Sequence, residues 1–544
     1  MRILLAQINP TVGDLEGNCK KILQSIAKAK EKNAEIVLFP ELCLTGYPPE
    51  DLLLLPHFID ALEQPLSRIA SACVGVTAIV GTPRKNESAS EKPLYDSAAI
   101  LSEGKVVGFQ DKILLPTYDL FDERRYFEPG GPIKLWPIAG KKIAITICED
   151  LWQHSQLLTT SSYLRDPVLE LKEQRPDFVL NLSASPFSIF KAEQRLLVGK
   201  KAAATLKCPI LFCNQVGGND GIIFDGRSLF LDGNGTLLDT AAAFKEEHLL
   251  VDLGSPVRRP LTVEEPSECL FSALVLGVQD YFKKLGFSRA CLGISGGIDS
   301  AVVAAIAVEA LGNKNVLGIS MPSRYTSTES REDAAALAER LGIALEEIPI
   351  EGPFSSYLDL LQPQFNSLPH DSTEENIQAR IRGMILMAIS NKFGRIVLST
   401  GNKSELAMGY TTLYGDMCGG LGVLSDVTKK QVYAIAKWIN RNKELIPQRT
   451  IQKPPSAELR FGQKDSDTLP DYDIIDNVLE GYVEEHRSPE AIAHAFGYSL
   501  PLVNDLISRI HQNEYKRRQS PPGIRVTEKS FSFGRRFPIV QKWV

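Results

Sequence analysis

A chain of 544 residues is too long for one hydrophobic core and should divide into two domains. Its 60 basic and 66 acidic residues leave a net charge of −6 with no basic stripe, so nucleic acid is not the expected partner. No apolar run approaches the roughly 18–20 residues that cross a bilayer, which excludes a spanning helix.

The start, Met1 to Pro10, lacks the layout of a signal peptide and reads as a first strand. Nine cysteines without a CxxC pair argue for reduced thiols and a cytoplasmic protein, and seven scattered histidines argue against a zinc site. Strand-like apolar runs follow at Ile3–Ile8, Ile36–Phe39, Ala78–Val80, Ile143–Cys148, Phe178–Leu182 and Ile210–Cys213. Between the first two, Ile22, Leu23 and Ile26 mark one face of a helix over Asn18–Lys32. Such alternation predicts a layered α/β domain with its chemistry at strand ends.

Three strand ends deliver reactive groups: Glu41 after Ile36–Phe39, Lys112 after Phe109-Gln-Asp, and Cys148 after Ile143–Ile147. Amide hydrolysis through a thioester needs a thiol, a carboxylate to accept its proton and a cation to steady the charge that develops. Leu38-Phe-Pro-Glu-Leu, Lys112-Ile-Leu-Leu-Pro and Ile147-Cys-Glu-Asp-Leu-Trp resemble the signature of the nitrilase/amidase superfamily over most of residues 1–250. That resemblance implies an α-β-β-α sandwich, with Glu41 as general base, Lys112 as electrostatic stabiliser and Cys148 as nucleophile. Glu123 stands where a second carboxylate is expected. Tyr118, Ser185 and Lys191 resemble the glutamine-holding positions of glutaminase domains attached to NAD synthetases.

Near Val251–Pro260 the periodicity stops and two prolines appear, which predicts a first domain over 1–255, a linker over 256–266 and a second domain over 267–544. A helix is expected over Ser267–Leu285, ended by Gly286. Then Leu292-Gly-Ile-Ser-Gly-Gly-Ile-Asp-Ser300 joins an apolar strand to an apolar helix through a glycine-rich turn, an arrangement that aims backbone N–H groups at phosphate. It is not a Walker-type loop, because no GxxxxGK[ST] run occurs in the chain. Strands at Val316–Ser320, Leu345–Ile350 and Arg395–Thr400 alternate with helices at Ser330–Leu341 and Glu374–Lys392, predicting a doubly wound parallel sheet. Helices are also expected over Asp471–Glu485, Ser488–Phe496 and Pro501–Glu514, and a loop over Gln362–His370, broken by Pro363 and Pro369. Asp299 and Glu405 could hold Mg²⁺ against triphosphate oxygens.

Ser-Gly-Gly-x-Asp-Ser resembles the pyrophosphate loop of ATP pyrophosphatases, which activate a substrate as its AMP derivative. Thr373–Arg382, Leu398–Glu405, Tyr414–Met417, Leu424–Lys430, Lys453–Leu459 and Glu514–Arg518 are similar to the NAD synthetase series, in order. The resemblance implies that ATP meets Gly293, Ile294, Ser295, Gly296, Gly297, Ile298, Asp299, Ser300, Thr400 and Lys429, with Ser456 near its phosphates. Asn376, Glu405, Asp416 and Lys516 would contact the dinucleotide. The family's usual His-Lys-Arg is Tyr515-Lys-Arg here, which leaves position 515 without an assigned role.

The two halves together imply a ligase that amidates nicotinic acid adenine dinucleotide (deamido-NAD) to NAD⁺, using ATP, Mg²⁺ and ammonia drawn from L-glutamine. A homo-oligomer through the second half is implied as well. Two alternatives stay open at this point: another glutamine-dependent, AMP-forming amidotransferase, or an amidase fused to a nucleotide-binding module.

Overall fold

In the first strand, β1 (Arg2–Gln7), Ile3 and Leu5 point one way and Leu4 and Ala6 the other, and all four are fully buried. A strand apolar on both faces must lie between two covering layers. The computed structural model describes residues 1–88, 90–157, 162–255, 264–366 and 368–543. It divides into Met1–Val263 and Glu264–Val544. Residues 256–263 of the expected linker lie outside the described residues, and Pro266 is already the first residue of a helix that runs to Leu285.

The first unit holds two six-stranded sheets. One contains β1, β2 (Ile36–Leu38), β3 (Thr77–Lys85), β4 (Leu94–Ser102), β5 (Lys105–Asp111) and the late strand Glu247–Asp252, which pairs antiparallel with β1. The other is built around β6 (Leu135–Ile138), β7 (Lys141–Ile147), β8 (Phe178–Ser183) and β9 (Ile210–Asn214). In each sheet the central strands run parallel, β1–β2–β3 and β7–β8–β9.

Ile3, Leu38, Ile79 and Ala98 of the first sheet share one core with Ile145, Ile147, Leu180 and Cys213 of the second. Outside the first sheet lies the helix Leu15–Glu31, burying Cys19, Ile22, Ile26 and Ala29. Outside the second lies Lys191–Leu206, burying Val198, Ala202 and Ala203. The layers are therefore α-β-β-α, as the motifs imply. The sequence marks only the end of β5, at Phe109-Gln-Asp, and misses β4, where Asp96, Ser97 and two alanines interrupt the apolar pattern.

The second unit is one parallel sheet of five strands: β10 (Ala290–Gly293), β11 (Val316–Ser320), β12 (Ala344–Glu347), β13 (Ile396–Ser399) and β14 (Leu421–Gly422). Their order in space is β12-β11-β10-β13-β14. The chain winds outward from β10 in one direction, then restarts at β13 on its other side. The switch point therefore falls at Gly293 and Ser399, where ligands of such sheets lie.

Three expectations need correction. The strand foreseen over Leu345–Ile350 ends at Glu347, because it is an exposed edge with little to bury. The loop foreseen over Gln362–His370 begins late, since helix Glu351–Phe365 runs through Pro363. A proline in a last turn removes only one hydrogen bond there. The helix over Asp471–Glu485 is α-helical only for Tyr472–Leu479 and widens to a π turn at Glu480–Glu484.

At Gly81 of β3 a methyl group would meet the Leu42 amide and the Pro40 carbonyl, and would stand 2.7 Å from the Glu41 carbonyl carbon. Backbone cannot step aside as a flexible side chain would. Gly81→Ala should therefore destabilise the first unit by about 1–3 kcal/mol, read as a lowered urea midpoint of its unfolding transition.

Candidate functional site

Strand ends of the first unit converge on a buried pocket. Glu41 follows β2 and Lys112 follows β5, each 1% exposed. The Lys112 ammonium donates to Glu41 Oε1 and to both oxygens of Glu123, at 2.9 and 2.7 Å. Ala184 N donates to the other Glu41 oxygen at 2.9 Å, and the Tyr47 hydroxyl to Glu123 at 2.8 Å. Burial pushes Glu123 up to about 7, with Lys112 opposing and Glu41 adding.

Cys148 begins a tight turn after β7 with a left-handed φ of +37°, a conformation non-glycine residues rarely adopt and one that concentrates at functional sites. Burial, then the Glu41 carboxylate, push its thiol well above the ordinary range, with Lys112 opposing.

Asp150 ties two of these strand ends together. One oxygen accepts from Ile113 N (3.0 Å) and Leu114 N (2.9 Å), just past Lys112; the other accepts from Ile147 N (2.9 Å), just before Cys148. Sequence reading gave it no role, nor Glu149, although two carboxylates directly after a cysteine at a strand end were the available signal. Glu149 is buried and accepts from the Tyr118 hydroxyl (2.9 and 3.1 Å) and the Tyr163 hydroxyl (2.9 Å). Ser185 is buried, held through its N–H to Asn214 Oδ1 at 2.9 Å, and the Lys191 ammonium stands 4.4 Å from the centre of the Trp152 ring.

In the second unit the glycine loop runs from Gly293 at the end of β10 into helix Ile298–Leu311. Gly296 has φ +78°, and a side chain there would meet the Ser330 carbonyl, so the turn requires glycine. The Ser300 hydroxyl donates to Gly297 O at 3.0 Å, closing the loop on itself. A cavity of about 500 Å³ opens at the switch point. Of the predicted residues, Gly293, Ile294, Ser295, Asn376, Thr400, Asp416 and Lys516 line it. The Asn376 carbonyl oxygen accepts from Thr412 Oγ1 (2.7 Å) and Asp416 from Thr412 N (2.6 Å). Lys516 donates to the Gly409 and Thr411 carbonyls at 2.8 and 2.9 Å. Burial raises Asp416 to about 6 and pushes Lys516 down, Asp416 opposing the latter.

Gly296, Gly297, Ile298, Asp299, Ser300, Glu405, Lys429 and Ser456 are not part of that lining. Asp299, Glu405 and Lys429 form their own cluster: Lys429 Nζ is 2.5 Å from Asp299 Oδ2 and 3.2 Å from Glu405 Oε1, and Asn402 Nδ2 donates to Asp299 Oδ1 at 2.9 Å. Burial raises Glu405 to about 8, with Lys429 opposing and Asp299 adding. Ser456 is exposed, and its hydroxyl donates to Gln463 O at 2.6 Å. Arg382 and Glu458 line the cavity without having been singled out, though both stand within stretches already quoted.

A thiol–carboxylate–ammonium pocket on an α-β-β-α sandwich, followed by a phosphate-type loop on a parallel sheet, defines a carbon–nitrogen hydrolase joined to a nucleotide-using domain. The carbon-nitrogen hydrolase family matches residues 2–260 and the NAD synthase family residues 270–520. The chain is similar to the glutamine-dependent NAD(+) synthetase of Synechocystis sp., 45% identical over 99% of this chain and 98% of that protein. Its counterpart in Thermotoga maritima is 41% identical over 100% and 99%. The solved glutamine-dependent NAD⁺ synthetase of Acinetobacter baumannii, in complex with adenosine diphosphate, superposes with a TM-score of 0.79, 38% identity and coverage of 100% and 99%. The chain belongs to the glutamine-dependent NAD(+) synthetases, so both halves are those of one glutamine-hydrolysing ligase rather than an amidase beside an unrelated module.

Removing the Asp150 carboxylate would leave three buried N–H groups without an acceptor, each worth about 1–3 kcal/mol. Asp150→Ala should lower the stability of the first unit by at least about 2 kcal/mol and disturb the turns of Lys112 and Cys148 together. Chemical denaturation checks the first effect and glutaminase turnover the second.

Proposed function

We propose that the activity, glutamine-dependent NAD⁺ synthesis from deamido-NAD, is divided between residues as follows. In the first unit Cys148 Sγ attacks the carboxamide carbon of glutamine while Glu41 takes the thiol proton. The Lys112 ammonium stabilises the oxyanion, and Glu41 returns the proton to the departing ammonia. Water, with Glu41 again as base, then releases glutamate from the thioester. Glu123 holds Lys112 in place, while Tyr118, Ser185 and Lys191 hold glutamine, Lys191 pairing with its α-carboxylate.

In the second unit the nicotinate carboxylate of deamido-NAD attacks the α-phosphorus of ATP, and pyrophosphate leaves into the loop from Gly293 to Ser300. Activation is required because a carboxylate is a poor electrophile with a poor leaving group. Ammonia then displaces AMP and leaves the carboxamide of NAD⁺. Thr400, Lys429 and Ser456 serve ATP; Asn376, Glu405, Asp416 and Lys516 serve deamido-NAD.

Asp299 and Glu405 would hold Mg²⁺, which when bound neutralises phosphate charge. The donor set fits. Two carboxylates already gather about a cation, the Lys429 ammonium. Two protein oxygens are an incomplete shell, which suits an ion that arrives with the nucleotide's phosphates.

The observation that carries this reading is the presence in one chain of the buried Glu41–Lys112–Glu123 set beside Cys148 and of the Gly293–Ser300 loop, whose first residues Gly293, Ile294 and Ser295 line a cavity with Asn376, Asp416 and Lys516. A cytoplasmic setting is supported by nine free cysteines, and no helix among the described residues is long and apolar enough to cross a membrane. Assembly through the second half follows the family resemblance, and sedimentation would test it.

Cys148→Ala should abolish NAD⁺ formation from glutamine while ammonium salts still support it; loss of both in a folded variant would sink the division. Asp299→Ala or Glu405→Ala should remove synthesis with either nitrogen source by a factor of at least about 100, followed as pyrophosphate release dependent on deamido-NAD.

A further inference from the structure

Oxygens of three buried carboxylates, Glu41, Asp96 and Glu123, lie within 4.8 Å of one another, with the Lys112 ammonium among them. One positive charge cannot balance three negative ones among groups this deeply buried, so at least one acid must carry a proton. Which one is decided by donors. Glu41 receives the Lys112 ammonium and Ala184 N; Glu123 receives Lys112 on both oxygens and the Tyr47 hydroxyl.

Asp96, on β4, is 1% exposed, reaches Lys112 only at 3.7 Å, and neither of its oxygens meets a hydrogen-bond donor among the described residues. An ionised carboxylate would be orphaned there, whereas a protonated one brings its own donor, with oxygens of Glu41 and Glu123 within 4.8 Å. Other titratable groups of the pocket are the Cys148 thiol, from the turn after β7, and the Tyr47 phenol behind Glu123. Neither supplies Asp96 with a donor. The Lys112 backbone N–H is bound to the Asp96 carbonyl at 2.8 Å, which fixes the acid's strand to the strand end that carries the lysine.

We propose that Asp96 is held protonated in the resting glutaminase site and donates a hydrogen bond to Glu41, as a positioning residue for the base. An ionised carboxylate offers about four lone-pair sites. Lys112, Ala184 N and the Asp96 hydroxyl fill three on Glu41, leaving one for the proton of Cys148. The Asp96 hydroxyl thus aims the remaining lone pair of Glu41. Burial, then the Glu41 carboxylate, push the Asp96 carboxyl well above the ordinary range against the pull of Lys112, in the same direction as the donor count.

This inference rests on the reading of Glu41 as base, so its test has an arm that does not depend on catalysis. Difference infrared spectroscopy of the full chain at neutral pH, wild type minus Asp96→Asn, should show one carbonyl stretch of a protonated carboxyl. A carboxylate band in its place would overturn the proposal. In the kinetic arm, Asp96→Ala should lower glutaminase kcat/KM about tenfold or more. Asp96→Asn, neutral and still a donor, should recover most of that loss. An asparagine variant as damaged as the alanine variant would mean that the charge of Asp96 is needed, and would overturn the proposal. Retained glutaminase activity in Glu41→Gln would sink the base assignment instead, and the infrared band would still decide where the proton sits.

Discussion

The first half of the molecule depends on the ammonium of Lys112, buried with acids on every side. A lone ammonium out of water would shed its proton; this one is kept charged by Glu41 and Glu123, which overcome the burial that opposes it. The same contacts keep the acids from drifting. Glu41, Lys112 and Glu123 arrive from three separate chain turns, and their mutual bonds, with Ala184 N and Tyr47 as outer partners, help hold them at one point. The sandwich makes this possible because its sheets end together, so side chains past β2, β5 and β7 converge where two cores meet.

The second half repeats the device with another lysine. Lys429 lies between Asp299 and Glu405, and Asn402 adds a donor to Asp299. The run from Asn402 to Glu405 is itself pinned from behind. Lys403 is fully buried against Asp426 at 2.9 Å and Glu484 at 2.7 Å, and Asp426 also accepts from Val526 N and Thr527 N at 2.8 Å each. A buried pair of this kind adds little net stability, but breaking it strands a charge, so it fixes position strongly. The late segment through Thr527 is thereby made part of what holds Glu405.

The sequence was most legible where chemistry and periodicity coincided. Runs such as Ile143–Ile147 and Ile36–Leu38 are apolar on both faces, so strand, burial and the exit of Cys148 or Glu41 could be read together. The glycine loop was legible because Gly296 is required by its turn and Ser300 closes it. What stayed hidden was pairwise. Asp150, Glu149 and Asp96 look like ordinary acids in the chain, and their roles appear only when Leu114, Tyr118 or Glu41 is brought beside them from elsewhere. Strand β4 was hidden for a related reason, since its stability comes from neighbours on both sides rather than from its own alanine-rich residues.

The two sites use the same few residue types differently. Around Cys148, burial and then the Glu41 carboxylate push the thiol above its ordinary range, and Glu41 is already supplied with donors by Lys112 and Ala184 N. In the second unit the cavity lining is less tightly paired. Lys516 has its ammonium committed to the Gly409 and Thr411 carbonyls and is pushed down by burial, while Asp416 is raised to about 6. Asp299, Glu405 and Lys429, outside that lining, form instead a tight ion-paired cluster, so the strongest pairing in this region lies beside the cavity rather than in its wall.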